Sequence, residues 1–178
     1  MAFSAPHRTR VATKDDAGWI VDLSSRVQTD LTSKGSAQVI GPLTIQSVDS
    51  SLQNGRCFIF ETLQHDAITN IGIVSIDVYS NNYAFSKEEM KNMPEKKWFL
   101  HALMIEPEFQ GNGLGKIFLR EVLGKMGRES EGVVLLDCFV GNKKLRAFYE
   151  RVGFVLLREV LEEDYLVAVF TYELTRDN

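Results

Sequence analysis

The stretch Gln110-Gly111-Asn112-Gly113-Leu114-Gly115-Lys116 places three glycines within five residues, between an apolar run and an apparent helix. The run before it, residues 98–105, is rich in bulky apolar side chains and stops at Glu106-Pro107, which predicts a mostly buried strand. After it, apolar residues recur at helical spacing, and Gly127 is the expected end of that helix. The sequence therefore predicts a strand, a glycine turn and a helix in direct succession.

This succession suits the binding of an anion. Glycines let the backbone approach a ligand closely, and the first N–H groups of a helix have no partners within the helix. Lys116 lies in the first turn, where the helix dipole favours negative side chains, so a bound phosphate would explain its charge. A diphosphate fits such a turn, and a glycine turn without a ligand is the alternative.

Two common phosphate motifs are excluded by spacing. A P-loop has Gly, four residues and then Gly-Lys-Ser/Thr, but here Gln110 occupies the first glycine position and Ile117 the hydroxyl position. The dinucleotide motif Gly-x-Gly-x-x-Gly would need its third glycine at Lys116. A nucleoside triphosphate or a dinucleotide is therefore not the expected ligand.

A second block lies further along the chain, at residues 142–154, with the sequence Asn-Lys-Lys-Leu-Arg-Ala-Phe-Tyr-Glu-Arg-Val-Gly-Phe. The first block, Gln110-x-x-Gly113-x-Gly115, resembles the acyl-coenzyme-A loop of the GNAT superfamily of N-acetyltransferases, Gln/Arg-x-x-Gly-x-Gly/Ala. The second block is similar to the second signature of that family, an asparagine, a short helix with a tyrosine, and Gly-Phe. The resemblance is specific for residues 98–154.

The resemblance implies an α/β (α+β) GNAT-like fold. Its sheet would be mixed and mainly antiparallel, with about seven strands that splay at the centre and with helices on both faces. The implied reaction is direct transfer of an acetyl group from acetyl-coenzyme A, the cosubstrate, to a primary amine of a small molecule or peptide. No metal is required for this reaction.

The resemblance also assigns residues to the coenzyme. The backbone of the strand end would pair with the pantetheine arm, the glycine loop would hold the pyrophosphate, and Asn142 would bond to the pantetheine or hold the fifth strand open. A plain N-cap is the other explanation for Asn142. The cofactor-binding residues predicted in this way are Leu103, Met104, Ile105, Gln110, Gly111, Asn112, Gly113, Leu114, Gly115, Lys116 and Asn142.

Tyr149 is the predicted general acid. An amine that attacks a thioester releases a thiolate, which leaves more readily when a nearby group protonates it. Tyr149 occupies the position at which the resemblance places the tyrosine that protonates the thiolate. The alternative is an aromatic residue that packs beside Phe148.

His101 is the candidate general base. It lies in the apolar strand two residues from Leu103, so the two side chains are expected on one face. A neutral imidazole could accept a proton from an ammonium directly or through water, and some arylalkylamine-acetylating members of the superfamily carry histidine on this strand. Phe99 stands where histone-acetylating members place a glutamate. A buried, hydrogen-bonded histidine is an equal alternative. The reserve candidates, each expected to be a solvated strand end, are Glu61, Asp77 and Glu106.

Length and composition indicate the number of domains, the class of partner and the cellular compartment. With 178 residues, 44% of them hydrophobic, and no linker, one domain over residues 1–178 is expected. The 20 basic and 24 acidic residues give a net charge of −4, which argues against a nucleic-acid partner. Cys57 and Cys138 lie in apolar runs, which predicts reduced core thiols and a cytoplasmic protein. No apolar run approaches the roughly 20 residues of a membrane span, and residues 1–10 lack the apolar core of a signal peptide, so a soluble protein is expected.

The other elements follow from periodicity and turn residues. A polar insertion at 80–97 is expected to contain a short helix begun at Ser86. The remaining predictions are a strand at 8–12, a helix capped at Thr13 that continues through Val27, a helix at 43–52, a hairpin of strands at 56–63 and 67–79 around Gln64-His65-Asp66, a strand at 132–140, a helix from Asn142 to Gly153, and strands at 154–161 and 165–174.

Some questions stay open at this level. The acceptor could be a small amine, a polyamine, an antibiotic or a protein N-terminus, and a homodimer is compatible with the sequence. Its pocket would come from the first helices, the insertion at 80–97 and the last hairpin. One alternative function is a non-catalytic acyl-coenzyme-A sensor or interaction module on the same fold. Another is a nucleotide-binding enzyme, for which ATP should compete.

Overall fold

The computed structural model describes residues 6–36, 38–54, 56–64, 67–79, 84–162 and 164–176. The predicted turn at residues 65–66 and residues 80–83 of the insertion lie outside these ranges. The elements are β1 (His7–Val11), α1 (Ala17–Ser33), α2 (Ile45–Asn54), β2 (Arg56–Gln64), β3 (Ala67–Val78), α3 (Lys87–Asn92), β4 (Lys97–Ile105), α4 (Leu114–Glu129), β5 (Gly132–Phe139), α5 (Lys143–Val152), β6 (Val155–Glu162) and β7 (Tyr165–Leu174).

The strands form a seven-stranded sheet in the order β1-β2-β3-β4-β5-β7-β6. The pairs β1/β2, β2/β3, β5/β7 and β6/β7 are antiparallel, whereas β4 and β5 are parallel. This confirms the predicted mixed, mainly antiparallel sheet. None of the helices in the described ranges has the length and hydrophobicity needed to span a membrane.

The chain forms two compact units, and the first comprises Met1–Asp77 and His101–Phe118. In this unit α1 and α2 cover one face of the sheet, where Ile20, Leu23 and Val48 pack with Ile59 and other buried residues. On the opposite face Phe60 stacks on Phe118, at the start of α4, with ring centroids 4.8 Å apart. Neighbouring residues of a strand point to opposite faces, so Ile59 and Phe60 anchor helices on both sides.

The second unit comprises Val78–Leu100 and Leu119–Asn178. On one face of its strands, the segment around α3 contributes Ala84 and Phe85 to a buried cluster with Val133, Leu135, Val167 and Val169. On the other face, the Tyr149 ring of α5 lies 6.1 Å from that of Phe170. The expectation of a single domain over residues 1–178 stays a prediction.

Local capping signals read from the sequence are confirmed. Ser86 accepts a hydrogen bond from the Glu89 N–H at 3.2 Å, and Glu89 accepts one from the Ser86 N–H at 2.7 Å, which begins α3 within the predicted insertion. Before α1, the Asp16 carboxylate accepts hydrogen bonds from the Thr13 N–H at 2.7 Å and from the Thr13 hydroxyl at 3.1 Å. Each cap pairs backbone groups that the first turn leaves without partners.

The predicted stop at Gly127 is wrong, because α4 continues to Glu129. A Cβ added to Gly127 would lie 2.7 Å from the backbone oxygen of Thr175, closer than real Cβ contacts allow. The glycine therefore serves a close approach between two backbone segments. In the sequence, a glycine that allows such a close approach cannot be distinguished from a glycine that ends a helix.

The strand β4 is irregular at Ala102, whose φ of 52° lies in the left-handed region. An extended strand alternates its side chains between two faces, and a left-handed residue interrupts this alternation. The strict alternation of side chains therefore cannot be counted through Ala102. The prediction that His101 and Leu103 lie on one face relied on that alternation.

The parallel ladder between β4 and β5 is short. In the described part of the chain it joins Lys97, Trp98 and Phe99 to Val133, Val134 and Leu135, although β4 continues to Ile105 and β5 to Phe139. This agrees with the splay expected at the centre of the sheet. Leucine, methionine and isoleucine at 103–105 lie in the part of β4 that follows the ladder.

Candidate functional site

The glycine loop is tied to the end of β4 by its first residue. The Gln110 side chain donates from Nε2 to the Ile105 carbonyl oxygen at 2.9 Å. Between them, a short 3₁₀ turn at Pro107–Phe109 is closed by the Phe109 N–H, which donates to the Glu106 oxygen at 2.9 Å. The carboxamide of Gln110 therefore positions the loop, a role that the sequence alone did not assign to it.

The loop leaves its backbone open where a ligand is expected. Gly111 and Gly113 both have a φ of 80°, and a Cβ at either position would meet nothing within 4 Å. The first amides that bond within α4 are those of Lys116 and Ile117, which donate to the Gly113 oxygen at 3.1 and 3.2 Å. In the residues that the structure describes, the N–H groups of 111–115 show no hydrogen bond. Such amides at a helix N-terminus form an anion site.

Lys116 lies beside these amides in the first turn of α4 and is partly exposed. Within the described ranges it forms no ion pair. Its charge is therefore available to an anion at the loop. A carboxylate partner would have neutralised it.

The other predicted coenzyme residues in this unit are Leu103, Met104 and Ile105, which precede the loop directly. Met104 is 3% exposed and packs in the core under α1 and α2, and Ile105 is 9% exposed. Because these two side chains fill the core, any ligand at this strand end would meet their backbone groups. Pairing of the pantetheine arm with these backbone groups stays a prediction.

His101 pairs with a carboxylate. Its Nε2 lies 2.8 Å from Asp77 Oδ2, and the two side chains are 35% and 37% exposed. The histidine is therefore hydrogen-bonded and only partly buried, and its role as a base stays a prediction. When Nε2 carries the proton it donates to Asp77, which leaves the lone pair of Nδ1 able to accept a proton. The sequence offered Asp77 only as a reserve base; its contact with His101 could be found only from the pairing of β3 and β4.

The other two reserve carboxylates are committed to arginines. Glu61 is 4% exposed and bonds to Arg8 and, at 2.6 Å, to Arg10. Burial opposes ionisation of Glu61, but the two guanidinium groups prevail and lower its pKa. Glu106 accepts two hydrogen bonds from Arg26, at 3.0 and 2.6 Å. The expectation that Glu61 is a solvated strand end is wrong, and neither carboxylate is placed to act as a base.

Tyr149 lies in the second unit and is 6% exposed. Its ring centroid is 5.3 Å from that of Phe148, 5.7 Å from Phe154 and 6.1 Å from Phe170. Burial raises the pKa of the phenol, and the nearby Cys138 and Asp137 raise it further. The hydroxyl therefore keeps its proton at neutral pH, as a proton donor must.

Asn142 is also in the second unit, where it caps α5. Its Oδ1 accepts a hydrogen bond from the Leu145 N–H at 3.1 Å. The N-cap explanation is therefore correct, and it leaves the backbone and the amide nitrogen of Asn142 for other partners. The structure thus groups His101, Asp77 and the loop in one unit and Tyr149 and Asn142 in the other.

Comparisons with known proteins identify the family and the fold. The family model described as the acetyltransferase (GNAT) family matches residues 40–154. No curated protein sequence matches the chain significantly. Among solved structures, an acetyltransferase of the GNAT family from Listeria monocytogenes is 23% identical, with a TM-score of 0.70 over 97% of this chain and 99% of that one.

Two further solved structures carry functional names. RimL, a ribosomal L7/L12 alpha-N-protein acetyltransferase in complex with coenzyme A, is 14% identical, with a TM-score of 0.69 over 98% of this chain and 97% of its own. A chimera of the spermidine N-acetyltransferase SpeG from Vibrio cholerae and hSSAT is 17% identical, with a TM-score of 0.68 over 94% of this chain and 95% of its own. At these identities the likeness shows the fold alone.

Proposed function

The chain belongs to the GNAT acetyltransferase family, and on that premise we propose that it transfers an acetyl group from acetyl-coenzyme A to a primary amine of a small molecule or peptide. The observation that carries this proposal is the glycine loop. Two glycines with φ near 80° expose consecutive amides directly before α4, beside Lys116.

The residues of the first unit fit the coenzyme. The amides of 111–115 and Lys116 would hold the diphosphate, since both supply positive electrostatic potential. The backbone of Leu103, Met104 and Ile105 would hold the pantetheine arm. When bound, acetyl-coenzyme A supplies a thioester whose carbonyl carbon is open to attack by an amine.

His101 would act as the base for the incoming amine. An ammonium must lose a proton before its nitrogen can attack, and Nδ1 of His101 can accept that proton directly or through water. Asp77 would act as a positioning residue, because its carboxylate fixes the imidazole at 2.8 Å and favours the tautomer with a proton on Nε2.

Tyr149 would act as the acid for the leaving sulfur. Its raised pKa keeps the phenol protonated, so a proton is present when negative charge develops on the sulfur. The aromatic neighbours Phe148, Phe154 and Phe170 hold the ring in one position. Asn142 would add a polar contact to the pantetheine from the start of α5.

The proposal is tested by two glycine variants. Gly113→Ala forces a left-handed φ on a residue with a Cβ, so the loop should distort and the Kd for coenzyme A should rise about tenfold or more. Gly124→Ala is the matched control, because its Cβ would make only an ordinary 3.6 Å contact inside α4. Isothermal titration calorimetry with coenzyme A measures both.

Thiol release from acetyl-coenzyme A with a panel of amines then decides between catalysis and sensing. Release with at least one amine supports the transferase. Coenzyme binding without release on any amine would favour the sensor, and equal Kd values for the two glycine variants would remove the loop from the site. Competition by ATP without coenzyme binding would overturn the proposal.

A further inference from the structure

Arg26 joins α1 to the turn that precedes the glycine loop. Its Nε donates to Glu106 Oε2 at 3.0 Å, and its Nη2 donates to Glu106 Oε1 at 2.6 Å, so the guanidinium binds both carboxylate oxygens. A bidentate pair of this kind fixes the orientation of the carboxylate as well as its position. The pair therefore holds Glu106 in one place relative to α1.

The main chain of Glu106 is held as firmly as its side chain. Its N–H donates to the Ile71 oxygen of β3 at 2.9 Å, and its own oxygen accepts the Phe109 N–H at 2.9 Å. The Glu106 side chain is 12% exposed, whereas that of Arg26 is 44% exposed. Glu106 is therefore the point at which α1, β3 and the turn at Pro107–Phe109 are connected.

Open space adjoins this connection. A groove of about 720 Å³ lies between the C-terminal half of α1 and the turn at Pro107–Phe109. Its lining is mainly polar and includes Ser25, Thr29 and Glu108 as well as Arg26 and Glu106. On this side, the turn is therefore joined to the helix by the Arg26–Glu106 ion pair and not by apolar packing.

The turn determines where the free amides of the glycine loop point. Gln110 directly follows the turn, and its side chain donates back to the Ile105 oxygen at 2.9 Å. In the part of the chain that the structure describes, the amides of 111–115 show no hydrogen bond of their own. Their directions therefore depend on the segment from Ile105 to Gln110. Amides held in the binding geometry beforehand bind a ligand more tightly, because less freedom is lost on binding.

We propose that Arg26 is a positioning residue for the coenzyme. Through Glu106 it holds the turn at Pro107–Phe109, so that the amides of 111–115 already point towards the site of the diphosphate. This inference rests on the proposed acetyltransferase function and concerns its coenzyme site. Arg26 acts through Glu106 and does not contact the coenzyme itself.

The test measures the Kd for coenzyme A by calorimetry with the full chain. Arg26→Gln and Glu106→Gln should each raise the Kd about fivefold, because each breaks the ion pair. The double variant should be no worse than the weaker-binding single variant, since both substitutions remove the same contact. Arg26→Lys should bind better than Arg26→Gln, because it keeps the charge but not the two parallel hydrogen bonds.

Lys34→Gln is the matched control. It breaks an ion pair between Lys34 and Asp30, at 2.6 Å, that lies on the same helix and does not reach the turn. The Kd for coenzyme A should stay at the parent value in this variant. A fivefold loss in Arg26→Gln alone among these two helix variants would assign the effect to the contact with Glu106.

Steady-state kinetics and thermal unfolding separate positioning from general stability. In Arg26→Gln the KM for acetyl-coenzyme A should rise about fivefold while kcat stays within about twofold, because Arg26 touches no reacting group. The Tm should fall by less than about 5 °C, since a partly exposed ion pair contributes little to the stability of the whole chain. A larger fall in Tm, or a loss confined to kcat, would overturn the inference.

The remaining outcomes are equally decisive. If Glu106→Gln keeps or improves the Kd while Arg26→Gln weakens it, Arg26 binds the coenzyme directly and the inference fails. Losses that multiply in the double variant, or Kd values equal to that of Lys34→Gln, would also overturn it while the proposed function stands. Absence of coenzyme binding and of thiol release in the parent would instead overturn the proposed function and, with it, the inference.

Discussion

The buried carboxylates of the first unit and the buried phenol and thiol of the second unit have pKa values shifted in opposite directions. In the first unit, hydrogen bonds from Arg10 lower the pKa of Asp16 to about 2. In the second, burial raises the pKa of Cys138 to about 11, although the Arg146 charge lowers it, and burial also raises the pKa of Tyr149. Cys57 of the first unit, buried beside Ser75, also has a raised pKa. A cation within hydrogen-bond distance therefore decides the direction in which the pKa of a buried acid shifts. Burial alone raises the pKa and leaves the group protonated.

This contrast matches the two halves of the proposed chemistry. The first unit keeps Asp16 and Glu61 ionised through arginines, and it pairs Asp77 with His101, which suits accepting a proton. The second unit keeps a phenol protonated, which suits donating one. Four experiments test the contrast, beginning with the largest expected effect.

Tyr149→Phe should lower kcat by about 100-fold or more, because it removes the proposed donor and keeps the ring between Phe154 and Phe170. Thiol release with the best amine measures the effect, and Tm should change little. Tyr172→Phe is the control, since its ring lies 5.2 Å from that of Phe154 in the same cluster. Full turnover in Tyr149→Phe would leave the tyrosine as a packing residue.

Glu61→Gln should lower the free energy of unfolding by about 2–3 kcal/mol, because it leaves Arg8 and Arg10 without their buried carboxylate. Urea denaturation at neutral pH measures the change. The exposed Glu173→Gln should stay within about 0.5 kcal/mol of the parent. A loss for Glu61→Gln no larger than that of the control would contradict the view that this unit depends on paired charges.

His101→Gln should lower kcat/KM for the amine about tenfold or more, and Asp77→Asn should lower it by less, because Asp77 acts through the imidazole. The double variant should be no worse than His101→Gln alone. The Kd for coenzyme A should stay unchanged. Losses that multiply in the double variant would show that Asp77 acts independently of His101.

Asp16 should make stability depend on pH in the acid range. Its pKa is about 2 in the folded state against an ordinary value of 3.8, so the folded state favours the ionised form. That stability is fully present above about pH 4 and is lost as the pH falls towards about 2, by about 1–2 kcal/mol. Urea unfolding at several pH values measures the loss.

Asp16→Asn should reduce the dependence of the free energy of unfolding on pH between about pH 4 and pH 2. Tyr149→Phe should leave this dependence unchanged. The tyrosine has a raised pKa in the folded state, so its contribution is present below the unfolded pKa and is lost only as the pH rises through the alkaline range. If the free energy of unfolding falls equally with decreasing pH in the parent and in Asp16→Asn, the Asp16–Arg10 pair does not cause the loss of stability in acid.

Local features were predictable because they depend on neighbours in the chain. The caps at Ser86 and Asn142 have the predicted bonds. The glycine loop has the predicted place between a strand and a helix. In each case the residue type satisfies a backbone requirement within four residues, such as a positive φ or an unpaired N–H. The seven strands follow from the same kind of local periodicity.

Features that depend on residues far apart in sequence were not predictable. Gly127 imitates a helix end, but the backbone of Thr175 explains it. Glu61 has the sequence of a strand end, but two arginines of β1 hold it in the interior. Ala102 gives no signal for a left-handed residue within β4.

The sequence by itself determined the family motifs, the glycine loop and the positions of the elements, because short-range backbone geometry limits which residues can occupy them. Only the tertiary structure decided which side chains meet. The pairing of Asp77 with His101 follows from the packing of strands, which fixes contacts that no local pattern records.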